Sequence, residues 1–137
     1  MPGVMDALRI VCELGMPCAV ASSSSEILIR AVIGKLDIER YIQAICSADD
    51  EAEGKPDPAV YLTAARRLGV LPEQCVAFED SPNGVLSAKA AGMFCILVPD
   101  PYLAADPRMT RADICLESLE EFTADTLDRL TVSSGAH

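Results

Sequence analysis

Apolar residues along this chain follow two spacings, and their alternation predicts helices separated by short buried strands. Helical spacing covers five stretches: Val4 to Leu14, Glu26 to Leu36, Pro58 to Leu68, Val85 to Ala91, and Leu119 to Leu130 in one or two pieces. Short apolar runs typical of strands lie between them: Pro17 to Ala21, Ile42 to Ser47, Cys75 to Phe78, Phe94 to Val98, and an edge strand at Ile114 to Leu116. Strands that alternate with helices of this length predict an α/β fold with a parallel, doubly wound (Rossmann-like) sheet.

Helix boundaries carry the expected signals. Gly15, Gly69 and Gly92 follow three of the helices as stops, and Asp57 with Pro58 is typical of a helix start. We find neither an internal repeat nor a low-complexity linker. We therefore expect one domain over residues 1–130, followed by a flexible tail at residues 131–137.

Composition narrows the range of partners. The 137 residues carry a formal net charge of −10, and half of them are hydrophobic. The longest basic cluster is Arg66-Arg67, which argues against nucleic acid and against an anionic membrane surface. No apolar run approaches the roughly 20 residues that a membrane helix needs. We expect a cytoplasmic globular protein.

Six cysteines are scattered singly, without a Cys-x-x-Cys pair, and the one histidine is the last residue, His137. This is not the spacing of a zinc site. We interpret the cysteines as buried, reduced thiols, since free cysteine behaves as a small hydrophobic residue.

The stretch from Cys75 to Gly84 organises the candidate chemistry. A strand-like apolar run ends in Glu79 and Asp80, and the turn sequence Ser81-Pro82-Asn83-Gly84 follows. Adjacent side chains of a regular strand point to opposite faces, so both carboxylates can serve one site only where the strand gives way to a loop. Two neighbouring carboxylates repel each other unless a cation lies between them, and Mg²⁺ prefers such oxygen ligands. In the alternative interpretation Asp80 or Ser81 only caps the next helix and Glu79 is solvated.

Two further polar residues are expected at the same edge of the predicted sheet, one at the end of a strand and one just before a helix. Ser22 follows the first strand, and Lys55 is held extended by Pro56 just before a helix. A hydroxyl donor, an ammonium and a metal-binding carboxylate pair are together suited to holding a phosphoryl group. Ser23 and Ser25 are assigned to helix capping or solvent.

Three short motifs occur along the chain in the order Ala21-Ser22, Gly54-Lys55-Pro56 and Glu79-Asp80. They resemble the second, third and fourth motifs of the haloacid dehalogenase (HAD) superfamily of phosphatases and phosphomutases. The resemblance is to the branch with a helical cap, which includes β-phosphoglucomutase, and it covers about Pro2 to Leu130. Segments outside the motifs, at residues 98–101, 105–108 and 118–119, are most similar to bacterial hexitol or 2-deoxyglucose 6-phosphate phosphatases.

The resemblance implies a role for each matching residue. Ser22 would bind the transferring phosphate, Lys55 would neutralise its charge, and Asp80 assisted by Glu79 would hold Mg²⁺. It also implies two secondary contacts: Ser24 beside the phosphate, and Asn83.

One departure from the family pattern is large. HAD proteins begin with a strand that ends in Asp-x-Asp, whose first aspartate is the nucleophile, and no Asp-x-Asp occurs in this sequence. The sequence resembles the part of the family that follows the cap, so we expect a truncated chain without the first, central strand and without the cap. Loss of that strand would expose two apolar strand edges, and self-association through them is expected. Substrate choice in this family belongs mostly to the cap and is not readable here.

Three functions compete at this point. The first is the carboxy-terminal core of a Mg²⁺-dependent phosphatase for small phosphorylated metabolites, with sugar phosphates first among them, acting through an aspartyl-phosphate. This chain would be inactive alone, and transfer to water or to another hydroxyl stays open. The second is a non-catalytic phosphate-binding or interaction module that pairs its open sheet with another chain. The third, a receiver domain, requires the acidic pair early and the lysine late, the reverse of the order here.

Overall fold

The structure is a computed structural model that describes residues 3–102 and 105–134. Within this part, helices and strands alternate along the chain. The helices are α1 (Val4–Glu13), α2 (Glu26–Leu36), α3 (Ala59–Leu68), α4 (Pro82–Ala90) and α5 (Ala124–Ser134). The strands are β1 (Ala19–Ser22), β2 (Ala44–Ser47), β3 (Val76–Glu79), β4 (Phe94–Leu97) and β5 (Ile114–Cys115).

At the starts of three helices, polar side chains that are typical of helix caps accept hydrogen bonds from backbone amides. Ser25 Oγ accepts from the amide of Leu28 at 3.3 Å at the start of α2. Ser81 Oγ accepts from the amide of Gly84 at 3.2 Å at the start of α4. Asp57 accepts from the amide of Ala59 at 2.9 Å, so α3 begins one residue after the predicted Pro58. Each bond satisfies an amide that the first helical turn leaves unpaired.

Element boundaries differ from the predictions at the start of α4 and at the chain end. Helix α4 begins at Pro82 rather than at the predicted Val85, because Ser81 caps it and proline suits the first helical position, so most of the predicted turn is helical. The predicted helical region after residue 119 is present in two pieces, a 3₁₀ helix at Leu119–Glu121 and then α5. Helix α5 continues to Ser134, so the first four residues of the predicted tail are helical. Residues 135–137 lie outside the described residues.

The strands form two parallel sheets rather than one. In the first sheet β1 pairs with β2 in register from Ala19 opposite Ala44 to Ser22 opposite Ser47. The second sheet has the order β3-β4-β5. The predicted parallel α/β class is confirmed. The break between β1 and β3 lies where the family resemblance places a central strand.

A cavity of about 530 Å³ lies between the two sheets, and we call it the slot. Its lining includes Ala19 and Ala21 of β1, Ala77 and Phe78 of β3, Leu8 of α1 and Tyr61 of α3. Nearly all of this lining is apolar, and two strands border it with edges that have no β-partner among the described residues. The slot is therefore an apolar space bordered by hydrogen-bonding groups that a strand can use.

Helices cover both faces of the larger sheet, since successive side chains of β4 pack into two different core clusters. Cys95 and Leu97 pack into a core cluster with α3 and α4. Ile96 between them packs into a second cluster that contains residues of α1 and α5. All three side chains are buried. This three-layer packing is the arrangement that the alternating strands and helices predict.

The cysteines depart from the prediction in part. All six are free; Cys46 and Cys95 are buried, but Cys12 and Cys115 are exposed. Cys12 lies near the end of α1, and Cys115 belongs to the edge strand β5, so neither position is enclosed on all sides. Across the described residues, we find no helix with the length and apolar character needed to cross a lipid bilayer.

Candidate active site

Lys55 connects the carboxyl ends of the two sheets. Its ammonium donates to Oε2 of Glu79 at 2.6 Å and to the carbonyl of Ala21 at 3.3 Å. The side chains of Lys55 and Glu79 are only 10% and 6% exposed. Lys55 therefore lies between Ala21, the residue before Ser22, and Glu79, the residue before Asp80.

Tyr61 is a member of this cluster that the sequence analysis missed. Its buried hydroxyl also donates to Oε2 of Glu79, and the Lys55 ammonium lies 5.0 Å from the centre of its ring. Burial, followed by the negative charge of Glu79, raises the pKa of Tyr61 well above its usual range, so the phenol remains a donor. Tyr61 was missed because an aromatic residue on the apolar face of α3 is typical of core packing.

Glu79 and Asp80 lie in different surroundings. Glu79, the last residue of β3, is buried, and its carboxylate packs against Gly84 in the first turn of α4. Asp80 is half-buried, and its carboxylate makes no hydrogen bond or ion pair in the part of the chain that the structure describes. The structure thus brings Lys55 to Glu79 and leaves the Asp80 carboxylate free for another ligand.

Ser22 belongs to a network of hydroxyl groups at the ends of β1 and β2. Its Oγ accepts from the amide of Ser24 at 3.1 Å. The carbonyl of Ser24 accepts from Oγ of Ser47 at 2.7 Å, and the same Oγ accepts from the amide of Asp49 at 3.1 Å. Ser47 is 2% exposed. It ties the loop at Ser22 to the acidic loop after β2, a contact that no local pattern of the sequence indicates.

Asn83 is placed away from these contacts. Its side chain is exposed, and its Oδ1 accepts from Nη1 of Arg108 at 3.1 Å. Arg108 also pairs with Asp106 at 2.8 Å, and hydrogen bonds from Arg108 lower the pKa of Asp106 to about 2. The structure therefore joins Asn83 to the 3₁₀ helix Pro107–Arg111 rather than to Ser22 or Lys55.

The donor set fits Mg²⁺ through Asp80. Among the described residues, no group of three His, Cys, Asp or Glu side chains is arranged to hold a metal ion. Mg²⁺ is commonly bound by one or two carboxylates together with water and substrate phosphate oxygens, so it needs no complete protein cage. The free carboxylate of Asp80 at the end of β3 is compatible with this requirement.

Comparison with known proteins identifies the family. The family pattern described as "haloacid dehalogenase-like hydrolase" matches residues 1–92. The chain belongs to the haloacid dehalogenase-like hydrolases. This HAD-like chain is 42% identical over 127 residues to hexitol phosphatase B of Escherichia coli K12, a match that covers 93% of the chain and 57% of that relative. It is 40% identical over 92 residues to a phosphorylated carbohydrates phosphatase of Thermotoga maritima, covering 67% of the chain and 43% of that protein.

Solved structures of HAD proteins share the fold. CbbY from Rhodobacter sphaeroides in complex with phosphate superimposes with a TM-score of 0.85 at 34% identity, covering 93% of this chain and 58% of that one. A putative β-phosphoglucomutase from Thermotoga maritima gives 0.82 at 32% identity, covering 95% and 60%. The chain spans between 43% and 60% of the length of these relatives.

Proposed function

We propose that this chain supplies the phosphate- and metal-binding half of a HAD-like phosphatase that acts on small phosphorylated metabolites. The position of Lys55 carries the proposal, because its ammonium lies between the end of β1 at Ala21 and the buried Glu79 of β3. A phosphate at this edge of the sheet would meet a positive charge and the Ser22 hydroxyl together.

Each residue has a role in that reaction. Lys55 offsets charge on the phosphate oxygens, and Ser22 donates a hydrogen bond to one of them, with Ser24 as an additional contact. Asp80 would hold Mg²⁺, which neutralises charge on the phosphoryl group as it transfers. Asn83, joined to Arg108, would act only as an outer contact.

The nucleophile would be an aspartate supplied from outside this sequence. Its carboxylate oxygen attacks phosphorus, the bond from phosphorus to the substrate oxygen breaks, and the leaving oxygen takes a proton from the second aspartate of the family's Asp-x-Asp motif, which this sequence also lacks. Water then gives a proton to that aspartate as it attacks the aspartyl-phosphate, which releases inorganic phosphate and restores the nucleophile's carboxylate. Since the sequence contains no Asp-x-Asp, we expect the chain to be inactive alone.

Sugar phosphates are the substrate class that we favour. Two relatives are named as phosphatases of hexitols and of phosphorylated carbohydrates. The six free cysteines agree with a reducing compartment, so we place the activity in the cytoplasm.

The test is hydrolysis of a panel of hexose and hexitol phosphates with Mg²⁺. The chain is assayed alone and with a separately produced fragment of hexitol phosphatase B that carries the first strand and the cap expected for this family. Activity only on mixing supports the proposal, and Lys55→Ala should abolish it. A matched control, Lys35→Ala, changes an exposed lysine of α2 and should have no effect. Ordinary turnover by the chain alone would contradict the proposed division of the site.

A second candidate function is an interaction module, and the slot favours it. An extended apolar segment parallel to β1 and β3 would satisfy both open edges and fill about 530 Å³ of apolar space. In a second arrangement, two copies of the chain pair through these edges. Sedimentation analysis across concentrations tests both, with and without a peptide of the first strand of hexitol phosphatase B. A strict monomer that binds neither the peptide nor phosphate would contradict this function.

A further inference from the structure

Tyr61 and Lys55 bind the same oxygen of the same carboxylate. The Tyr61 hydroxyl and the Lys55 ammonium both donate to Oε2 of Glu79. All three side chains have little contact with solvent: Tyr61 is 6% exposed as a residue, and the Lys55 and Glu79 side chains are 10% and 6% exposed. Two charge-assisted hydrogen bonds therefore converge on one buried acceptor.

The second oxygen of Glu79 is also restricted. Oε1 occupies the space beside Gly84 where a Cβ would otherwise lie, at a distance of 1.8 Å. Glu79 is thus fixed at both oxygens, one by two donors and the other by close packing at the start of α4. A carboxylate held in this way is poorly placed to bind a metal directly through Oε2.

Lys55 depends on this arrangement for its own position. A lysine side chain has a flexible four-carbon stem and three rotatable donors, so its ammonium is localised only by what it contacts. Here it contacts Oε2 of Glu79, the carbonyl of Ala21 and the face of the Tyr61 ring. Tyr61 contributes twice, through its hydroxyl on Glu79 and through its ring near the ammonium.

We propose that Tyr61 is a positioning residue that orients Glu79 as the counter-ion of Lys55, so that Asp80 rather than Glu79 is the carboxylate that binds metal. This inference rests on the proposed function and gives the two carboxylates of the Glu79-Asp80 pair different roles. Glu79 acts through Lys55, and Lys55 and Asp80 act on the phosphate and the metal.

The main variant is Tyr61→Phe, which keeps the ring and removes the hydroxyl. Its matched control is Tyr41→Phe. Tyr41 is also buried, its hydroxyl accepts from Arg40 at 2.9 Å, and its ring lies 4.8 Å from the guanidinium carbon of Arg40. Tyr41 packs in a different core cluster with α2, so it shares the chemistry but not the site.

The readout is the set of lysine ammonium signals in a nitrogen-15 correlation spectrum of the full chain. The sequence has three lysines, and Lys89, paired with Asp113 at 2.9 Å, is an internal reference. We expect Tyr61→Phe to shift or broaden the Lys55 signal and leave the Lys89 signal in place. Tyr41→Phe should change neither. A Lys55 signal that Tyr61→Phe leaves unchanged would overturn the proposal.

Calorimetric titration of the full chain with MgCl₂ and with inorganic phosphate tests whether Glu79 and Asp80 have these different roles. Tyr61→Phe should weaken phosphate binding by about tenfold, the effect of losing one hydrogen bond to a charged group. Glu79→Gln should also weaken phosphate binding but change Mg²⁺ affinity less than twofold, whereas Asp80→Asn should abolish Mg²⁺ binding. Equal losses of Mg²⁺ affinity in Glu79→Gln and Asp80→Asn would overturn the proposal.

Failure of the proposed function gives a different result. If the unchanged chain binds neither Mg²⁺ nor phosphate, the phosphatase half-site is wrong. The Lys55 signal in Tyr61→Phe still decides whether Tyr61 positions the lysine.

Discussion

The carboxylate of Glu79 occupies the space that a side chain at Gly84 would need. A Cβ built at position 84 would lie 1.8 Å from Oε1 of Glu79 and 2.2 Å from its carboxyl carbon. Gly84 lies in the first turn of α4 with ordinary helical geometry, so space rather than backbone freedom requires the glycine. The end of β3 and the start of α4 therefore fit together only with this residue pair.

Gly84→Ala should lower the free energy of unfolding by about 1–3 kcal/mol, because the new methyl group displaces a buried carboxylate. The matched control is Gly34→Ala in α2, where the nearest atom to a new Cβ is 3.7 Å away. Alanine at that helical position should stabilise the chain by up to about 1 kcal/mol. Chemical denaturation of both variants measures the two effects. Equal changes in both would mean that Glu79 is not packed against Gly84.

Removing Lys55 should leave Glu79 as an uncompensated buried charge. Lys55→Met is expected to cost about 3–5 kcal/mol, the range for breaking one side of a buried ion pair. Adding Glu79→Gln should recover much of that loss, so a double-mutant cycle should show strong coupling. Lys35→Met, at an exposed position near the end of α2, is the control and should be nearly neutral. Additive losses in the double variant would contradict the pairing.

Ser47→Ala tests whether the hydroxyl network holds the loop at Ser22. Loss of the bonds to Ser24 and Asp49 should cost about 1–2 kcal/mol and weaken phosphate binding. Ser118→Ala is the matched control, since Ser118 accepts from the amide of Glu120 at 3.1 Å at a remote 3₁₀ turn. That variant should lose some stability but no phosphate affinity, as measured by calorimetry. If Ser47→Ala binds phosphate normally, the loop does not need Ser47.

Stability should fall at alkaline pH. Burial, with the charges of Glu79 and Asp113, raises the pKa of Cys95 from 9.0 to about 12. Between these values the unfolded chain has lost the proton while the folded chain keeps it, so stability declines as pH rises from about 9 to 12. Burial raises the pKa of other groups too, in the same direction: Cys18, Cys46, Cys75 and Tyr61.

Denaturation under reducing conditions at several pH values measures this decline. Cys95→Ala should make the slope above pH 9 shallower, since one pKa unit corresponds to about 1.4 kcal/mol. Cys115→Ala removes an exposed thiol of the neighbouring strand and serves as the control. An unchanged slope in Cys95→Ala would show that the thiol is not linked to stability.

Much of the fold followed from the sequence because its signals are local. Alternating apolar spacings fixed the order of strands and helices, and Ser25 and Gly69 mark helix ends where the structure has them. Helix α5 was predicted too short, because the serines and glycine after Leu130 resemble a tail. The prediction that all cysteines are buried was wrong for Cys12 and Cys115, since a residue type does not determine exposure at a helix end or on an edge strand.

The candidate site likewise has a part that the sequence predicts and a part that only the packing determines. The sequence predicted that Ser22, Lys55 and the Glu79-Asp80 pair lie at one edge, because the carboxyl ends of parallel strands converge, and the structure brings Lys55 to Glu79 and to the carbonyl of Ala21 there. Only the tertiary structure decided the partners within that edge. Tyr61 and Ser47 reach the site through contacts 18 and 23 residues away along the chain, and Gly84 is needed for a space that exists only after β3 and α4 pack. The local sequence pattern predicts which helices and strands form, whereas long-range packing determines which side chains contact the same buried carboxylate.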